Sequence, residues 1–289
     1  MTICLWLRVA IKLCLFLFIN CERREEEIPE ELAIYTSYEK LIAFFRNESD
    51  PLAKEILETF LMECANPVMR ERAGHTVMRP VIVIEGNHRS SREMISAGLA
   101  EMMNARLLSH PAPCIHRYHS QIPKGTLLRR AYYLLSDYAV SFFAKGNSNR
   151  PIVINGYWTE KFAFTLAQFY GNESFPPITS DVFNWPQELL KPDYIFYLNF
   201  PQTLLPRHVS TKNPVRWKKS VCRMADVFEY LKVRHPIVIK DVKSLFKLTT
   251  EDIHRHIRKH FYDKFQNMRQ YYDQFQNANN SQIPTHRFL

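Results

Sequence analysis

The chain has 289 residues, 46% of them hydrophobic and 13% aromatic, with a formal net charge of +9 at pH 7. That length fits one large α/β domain with extensions, and that apolar content excludes an intrinsically disordered chain. The basic excess suits an anionic ligand such as a nucleotide, a nucleic acid or a membrane surface, and it is equally the charge of an ordinary basic protein.

Residues 1–21, MTICLWLRVAIKLCLFLFINC, contain two bases (Arg8, Lys12) and no acid. The bases interrupt the apolar run, which falls short of the ~20 residues that span a bilayer. Two targeting readings stand: Leu13–Ile19 as a short signal-peptide core, or the acid-free segment as a mitochondrial presequence. N-x-[ST] triplets at Asn47, Asn172 and Asn279 suit secretion. The six cysteines (Cys4, Cys14, Cys21, Cys64, Cys114, Cys222) show no C-x-x-C spacing, so neither a zinc site nor a disulfide scaffold is expected.

A charged, Glu-rich linker runs from Cys21 to Glu31. Leu32, Tyr35, Tyr38, Leu41, Ile42 and Phe45 then fall on one helical face, and Leu52, Ile56, Leu57, Phe60 and Leu61 on a second. The spacing predicts a two-helix extension packed on the rest of the chain. From Met78 strands and helices alternate, the signature of a parallel sheet. Strands are expected at Val81–Ile84, Ala105–Leu108, Ile152–Ile154, Tyr194–Asn199 and Ile237–Ile239. Helices are expected near 92–104, 125–145, 158–170, 203–231 and 250–274, before a polar Asn/Gln-rich tail.

The first strand runs into EGNHRSSRE. A nucleotide phosphate loop has the form G-x-x-x-x-G-K-[ST], whose backbone N–H groups cradle phosphates while Lys reaches the β/γ oxygens. Here Ser91 stands for the second Gly, Arg92 for Lys and Glu93 for the hydroxyl that binds magnesium. In such sheets ligands sit at the carboxyl ends of strands, which points to residues just after Ile84, Ile154 and Asn199. The histidines (His75, His88, His110, His116, His119 and others) show no metal-ligand spacing. Lys218-Lys219 reads as a solvated face, with no stacking motif for nucleic acid.

LLRRAYYLLSDYAVSFFAKG (127–146), PIVINGYWTEKFAFTLA (151–167) and FNWPQELLKPDYIFYLNFP (183–201) resemble the thymidylate kinase-like family, in particular its mitochondrial UMP–CMP kinase branch. With VIVIEGNHRSSRE and ARLLSHPAPCI the similarity covers about 79–201 and continues weakly to about 262. Members of that family carry E-G-x-D-x-x-G-K-[ST]-T: Glu85 and Gly86 match, whereas His88 replaces Asp and Met94 replaces the last Thr. The D-R-Y-W signature reads Asn155-Gly156-Tyr157-Trp158, without either charge, and Asp137 stands where the branch usually has Asn.

The resemblance implies a P-loop nucleoside-monophosphate-kinase-like three-layer α/β fold with a five-stranded parallel sheet and a helical N-terminal extension. It divides the chain into a leader (1–22), the extension (23–76), the kinase-like domain (77–262) and a polar tail (263–289). It implies Arg89 and Arg92 as catalytic cations, and Glu85, Gly86, Asn87, His88, Ser90, Ser91 and Glu93 as the phosphate loop. Arg129, Arg130, Tyr133, Tyr138, Tyr157 and Trp158 fall on the acceptor side, and Arg207, Arg216 and Lys219 in a basic lid broken by Pro206 and Pro214. Tyr133, Tyr138 and Tyr157 read more readily as core or pocket-wall aromatics than as catalytic groups.

The function it implies is a nucleotide-binding protein with weakened or lost phosphotransferase activity. The alternatives are an active kinase moving phosphate from ATP to dTMP, dUMP, UMP or CMP, and a scaffold that no longer binds nucleotide. No metal ligand set belongs to the protein; Mg with ATP is implied if the chain is active, with Glu93 as the nearby carboxylate. The family also implies mitochondrial localisation, against the secretory alternative, and a possible homodimer. Nucleic acid and a membrane span after leader removal are not expected.

Overall fold

The computed structural model describes residues 28–65, 80–146, 150–171, 173–201, 214–242 and 246–261. After a short helix α1 (Glu30–Ala33), α2 (Tyr38–Asn47) starts where Ser37 accepts a hydrogen bond from the Lys40 amide at 3.2 Å. Helix α3 (Pro51–Thr59) starts at Asp50, which accepts from the Leu52 amide at 2.9 Å, with Pro51 at the first helical position. It runs into a π-turn, Phe60–Cys64. The expected apolar faces are the buried ones: Leu41, Ile42 and Phe45 on α2, and Ile56, Leu57 and Phe60 beyond. They pack on α5 (Leu127–Lys145), where Tyr38 meets Tyr138 edge-on at 5.0 Å.

The sheet has the order β2-β3-β1-β4-β5 and is parallel throughout: β1 Val81–Gly86, β2 Arg106–Ser109, β3 Ile152–Asn155, β4 Tyr194–Asn199 and β5 Ile237–Asp241. Every residue of β1 is buried, as a central strand covered on both faces requires. Ile82 and Ile84 share one core with Ile95 and Leu99 of α4 (Arg89–Met102) and Ile253 and Ile257 of α8 (Phe246–Phe261). The opposite face is covered by α6 (Trp158–Tyr170) and α7 (Pro214–Leu231); Tyr197 of β4 stacks on Phe228 of α7 at 3.9 Å. The parallel sheet expected from the alternation, and the three-layer fold that the resemblance implies, are the ones observed.

Two expectations need correction. Helix α4 begins at Arg89, three residues before the expected start, because the chain leaves β1 through only Asn87 and His88. Helix α7 is described over Pro214–Leu231, within the expected 203–231; residues 203–213, Arg207 among them, and residues 262–274 lie outside the described residues. The cysteines are not all ordinary thiols: Cys64 at the end of the π-turn is bonded to Cys114 in the 3₁₀ turn Pro113–Tyr118 after β2. Spacing carries no information about such a pairing across 50 residues. Around it, Tyr118 Oη lies 2.8 Å from Thr59 Oγ1 and 2.9 Å from Glu55, and Arg117 donates to Glu63 at 2.9 Å.

Candidate functional site

A cleft of about 1120 Å³ opens above the carboxyl ends of β1 and β3, where this fold class places ligands. Its floor is Gly86, Asn155 and Gly156. Its walls come from the first turn of α4, the start of α5 with the preceding Pro123–Thr126 loop, and α6, with Tyr35 from the extension and Val221 and Met224 from α7. Six Lys or Arg side chains line it (Arg89, Arg92, Lys124, Arg129, Arg130, Lys161) against two carboxylates, Glu93 and Glu160. The excess attracts an anion.

The floor is held tightly. A Cβ on Gly86 would stand 2.7 Å from the Leu198 carbonyl oxygen, so the approach of β1 to β4 demands glycine. The Asn87 carboxamide donates to the Phe200 carbonyl at 2.9 Å and accepts from its amide at 2.8 Å, which ties the turn to β4. His88 precedes α4, its Nδ1 2.6 Å from Ser91 Oγ. Because α4 starts at Arg89, residues that would wrap a phosphate are already its first turn, and the Arg92 amide donates to the His88 carbonyl. The free N–H groups of that turn still form an anion-attracting helix end.

Arg92 decides what this end of the cleft is. Its side chain is only 9% exposed and is ion-paired with Glu160 on α6. Its Nε donates to Asn155 Oδ1 at 2.8 Å, and its Nη1 lies 3.5 Å from the Gly86 carbonyl oxygen. Gly156 sits at φ +75°, and a Cβ there would meet the guanidinium at 3.2 Å and Glu160 Oε2 at 2.9 Å. Positions 92, 155, 156 and 160 therefore form one unit: the guanidinium fills the space that a side chain at 156 would need. Along the sequence, these substitutions look like separate losses. Folded, a glycine at 156 leaves the room that the Arg92 guanidinium occupies.

Arg89 is 64% exposed and pairs with Glu93 one helical turn on, at 2.8 Å. Glu85 lies beneath the floor, fully buried, its Oε1 accepting from the Glu160 amide at 3.1 Å. Burial, reinforced by the Glu160 carboxylate, pushes its carboxyl well above the ordinary range. Ser90 is exposed and Ser91 buried, and neither lines the cleft.

On the acceptor side, Arg129, Arg130 and Tyr133 do line the cleft. Arg129 donates to the carbonyls of His119 (2.9 Å) and Ile122, Arg130 to Gln168 at 2.7 Å, and Tyr133 Oη lies 2.8 Å from His119 Nε2. Tyr138, Tyr157 and Trp158 do not line it. They are core: Tyr157 donates to the Leu190 carbonyl at 3.2 Å, and Trp158 to that of Tyr35 at 3.0 Å, while stacking on Phe162. Lys219 is exposed on α7 and away from the cleft lining, and the Arg216 side chain lies outside the described residues.

Sequence reasoning missed a buried polar cluster beside the cleft. Lys161 Nζ lies 2.7 Å from Asp137 Oδ1, and His110 Nε2 is 3.2 Å from the same oxygen. His110 Nδ1 is 2.9 Å from Ser136 Oγ. Burial raises Asp137 to about 7 despite Lys161, and lowers His110 well below its ordinary value. The one available signal was Asp137, an acid inside an otherwise apolar helical run.

No family model matches the chain. Over 132 residues it is 33% identical to human UMP-CMP kinase 2, mitochondrial, a match covering 44% of this chain and 29% of that protein. The chain is thus distantly homologous to a nucleotide kinase over less than a third of the relative's length. A solved deoxyadenosine kinase from M. mycoides with bound dATP superposes with a TM-score of 0.45 and 15% identity, over 62% of this chain and 99% of that one.

Proposed function

We propose that this chain is a nucleoside-monophosphate-kinase-like, thymidylate kinase-like protein that binds a nucleotide in the cleft and has lost most or all of its phosphotransferase activity. The observation that carries this reading is the engagement of Arg92. A kinase phosphate clamp needs a cation aimed at the transferring phosphoryl group; here the corresponding cation is turned into the floor and neutralised by Glu160. The homology to a UMP–CMP kinase and the surplus of cleft cations support nucleotide as the ligand.

The residues present do not fit a protein-held magnesium ion. Mg²⁺ is usually bound through one or two carboxylates plus substrate phosphates, and both cleft carboxylates, Glu93 and Glu160, are paired with arginines. Glu93 as the magnesium neighbour is therefore disfavoured.

Calorimetric titration of the folded chain with ATP, UMP, CMP, dUMP and dTMP, with and without Mg²⁺, tests the binding half. A coupled diphosphate assay on the same preparation tests the other. Saturable binding without turnover is expected. Diphosphate formation abolished by Arg92→Ala would replace the proposal with an active enzyme whose clamp has been rebuilt, and absence of all binding would leave a scaffold.

A further inference from the structure

The disulfide and the first N-x-S triplet find no role in nucleotide binding, yet they point to one environment. We propose that the chain matures in an oxidising, glycosylating compartment, where Cys64–Cys114 closes and Asn47 accepts an N-linked glycan.

The bridge is not an isolated pair of surface thiols. Cys64 is fully buried, and the two elements that carry the cysteines are held together independently by Thr59, Tyr118, Glu55, Arg117 and Glu63. The fold itself thus brings the two thiols into register. Such a bridge persists in secretory compartments and is rare where glutathione keeps thiols reduced. Closing it removes two protons and two electrons from the thiols and passes them to a disulfide-bearing oxidoreductase, which becomes a dithiol.

Asn47-Glu48-Ser49 forms the corner between α2 and α3, and both Asn47 and Ser49 are exposed. The apolar residues of α2 (Leu41, Ile42, Phe45) are buried while Asn47 stays in solvent, so a bulky solubilising glycan fits there without disturbing the core. Its Nδ2 would form a bond to C1 of an oligosaccharide carried on a lipid diphosphate. The C1–O bond breaks, the lipid diphosphate leaves and the amide proton is lost to solvent. Of the two leader readings, the apolar Leu13–Ile19 core preceded by Arg8 and Lys12 is the one that leads to this compartment.

The test expresses the full chain, with its own leader, in cultured animal cells. Lysis into an alkylating reagent traps the thiols, and half of each sample is treated with peptide-N-glycosidase. The expected result is a mobility shift on deglycosylation, smaller by one glycan step in both Asn47→Gln and Ser49→Ala, with Cys64 and Cys114 alkylated only after reduction. Three outcomes overturn the proposal: no glycosidase shift, a shift unchanged in both variants, or Cys64 and Cys114 alkylated without reduction. A bridge formed without any glycan also overturns it, since that places the chain in an oxidising but non-glycosylating space. Both substitutions lie on an exposed corner, so a folding failure does not obscure the result.

Discussion

The two ends of the cleft are built on opposite plans. At the β1–β3 end, each cation that a kinase would aim at phosphate has a carboxylate of its own: Arg92 has Glu160 and Arg89 has Glu93. At the α5 wall, Arg129 and Arg130 lean on neutral groups, two carbonyls and a glutamine side chain. A guanidinium hydrogen-bonded to neutral acceptors keeps its full charge for a ligand; Arg92, paired with Glu160 inside the fold, does not, and Arg89 is neutralised more lightly by an exposed partner. The α5 wall therefore offers cations without carboxylate partners to an anion, as the proposed nucleotide binding requires, while those at the β1–β3 end are engaged.

The wall is the easier end to break. The 3₁₀ turn Pro113–Tyr118 that precedes its loop is tied to the extension by Cys64–Cys114, and closing a loop of 50 residues constrains the unfolded chain by about 4 kcal/mol. Cys64→Ser with Cys114→Ser is expected to lower unfolding free energy by roughly that amount in denaturant titrations, the largest of the expected effects. At the other end, Arg92→Ala leaves Glu160 without its partner and is expected to cost about 3 kcal/mol. Arg92→Met with Glu160→Met should cost far less than the two single changes together, because no buried charge is left alone. Gly156→Arg, which places there the Arg of the D-R-Y-W signature, should destabilise: φ is +75° and the Arg92 guanidinium already fills the space. Strict additivity in the 92/160 cycle would show that the floor is not one unit.

The same contrast explains what could be read from sequence. Strand β4 ends where expected, at Asn199, and α6 spans the expected 158–170, because apolar periodicity is local and Gly171 (φ +51°) stops the helix. The phosphate-loop substitutions were equally visible. What they do was not, since Arg92 and Glu160 meet across 68 positions and Cys64 and Cys114 across 50. Tyr157 and Trp158 show the limit of a signature. Their place in it puts them on the acceptor side, while the core reading of Tyr157 agrees with its burial: both sit at the start of α6 among aromatic neighbours.

The cluster beside the cleft gives a pH-dependent test. Asp137, raised to about 7, binds its proton more tightly folded than unfolded, so its contribution to stability falls as pH rises from about 4 to about 7 and is level above that. His110, lowered, works the other way, adding stability as pH rises toward its ordinary value of 6.5. Comparing the wild type with Asp137→Asn across pH 4–8 separates them. The variant should gain relative stability through the Asp137 window and hold the gain above it. A flat difference would show that Lys161 and Asp137 form an ordinary ion pair.

The smallest expected effect tests the closed end most directly. Arg89 and Glu93 are an exposed pair one turn apart, with side chains 64% and 46% accessible, and such pairs contribute only about 0.3–0.5 kcal/mol. Glu93→Gln should therefore change stability by no more than that, and it should leave nucleotide affinity equal with and without Mg²⁺. A magnesium-dependent affinity that the substitution removes would mean Glu93 leaves Arg89 to hold the metal when nucleotide arrives. The closed end would then be a resting arrangement that ligand opens, and the difference between the two ends would be one of occupancy, not of lost chemistry.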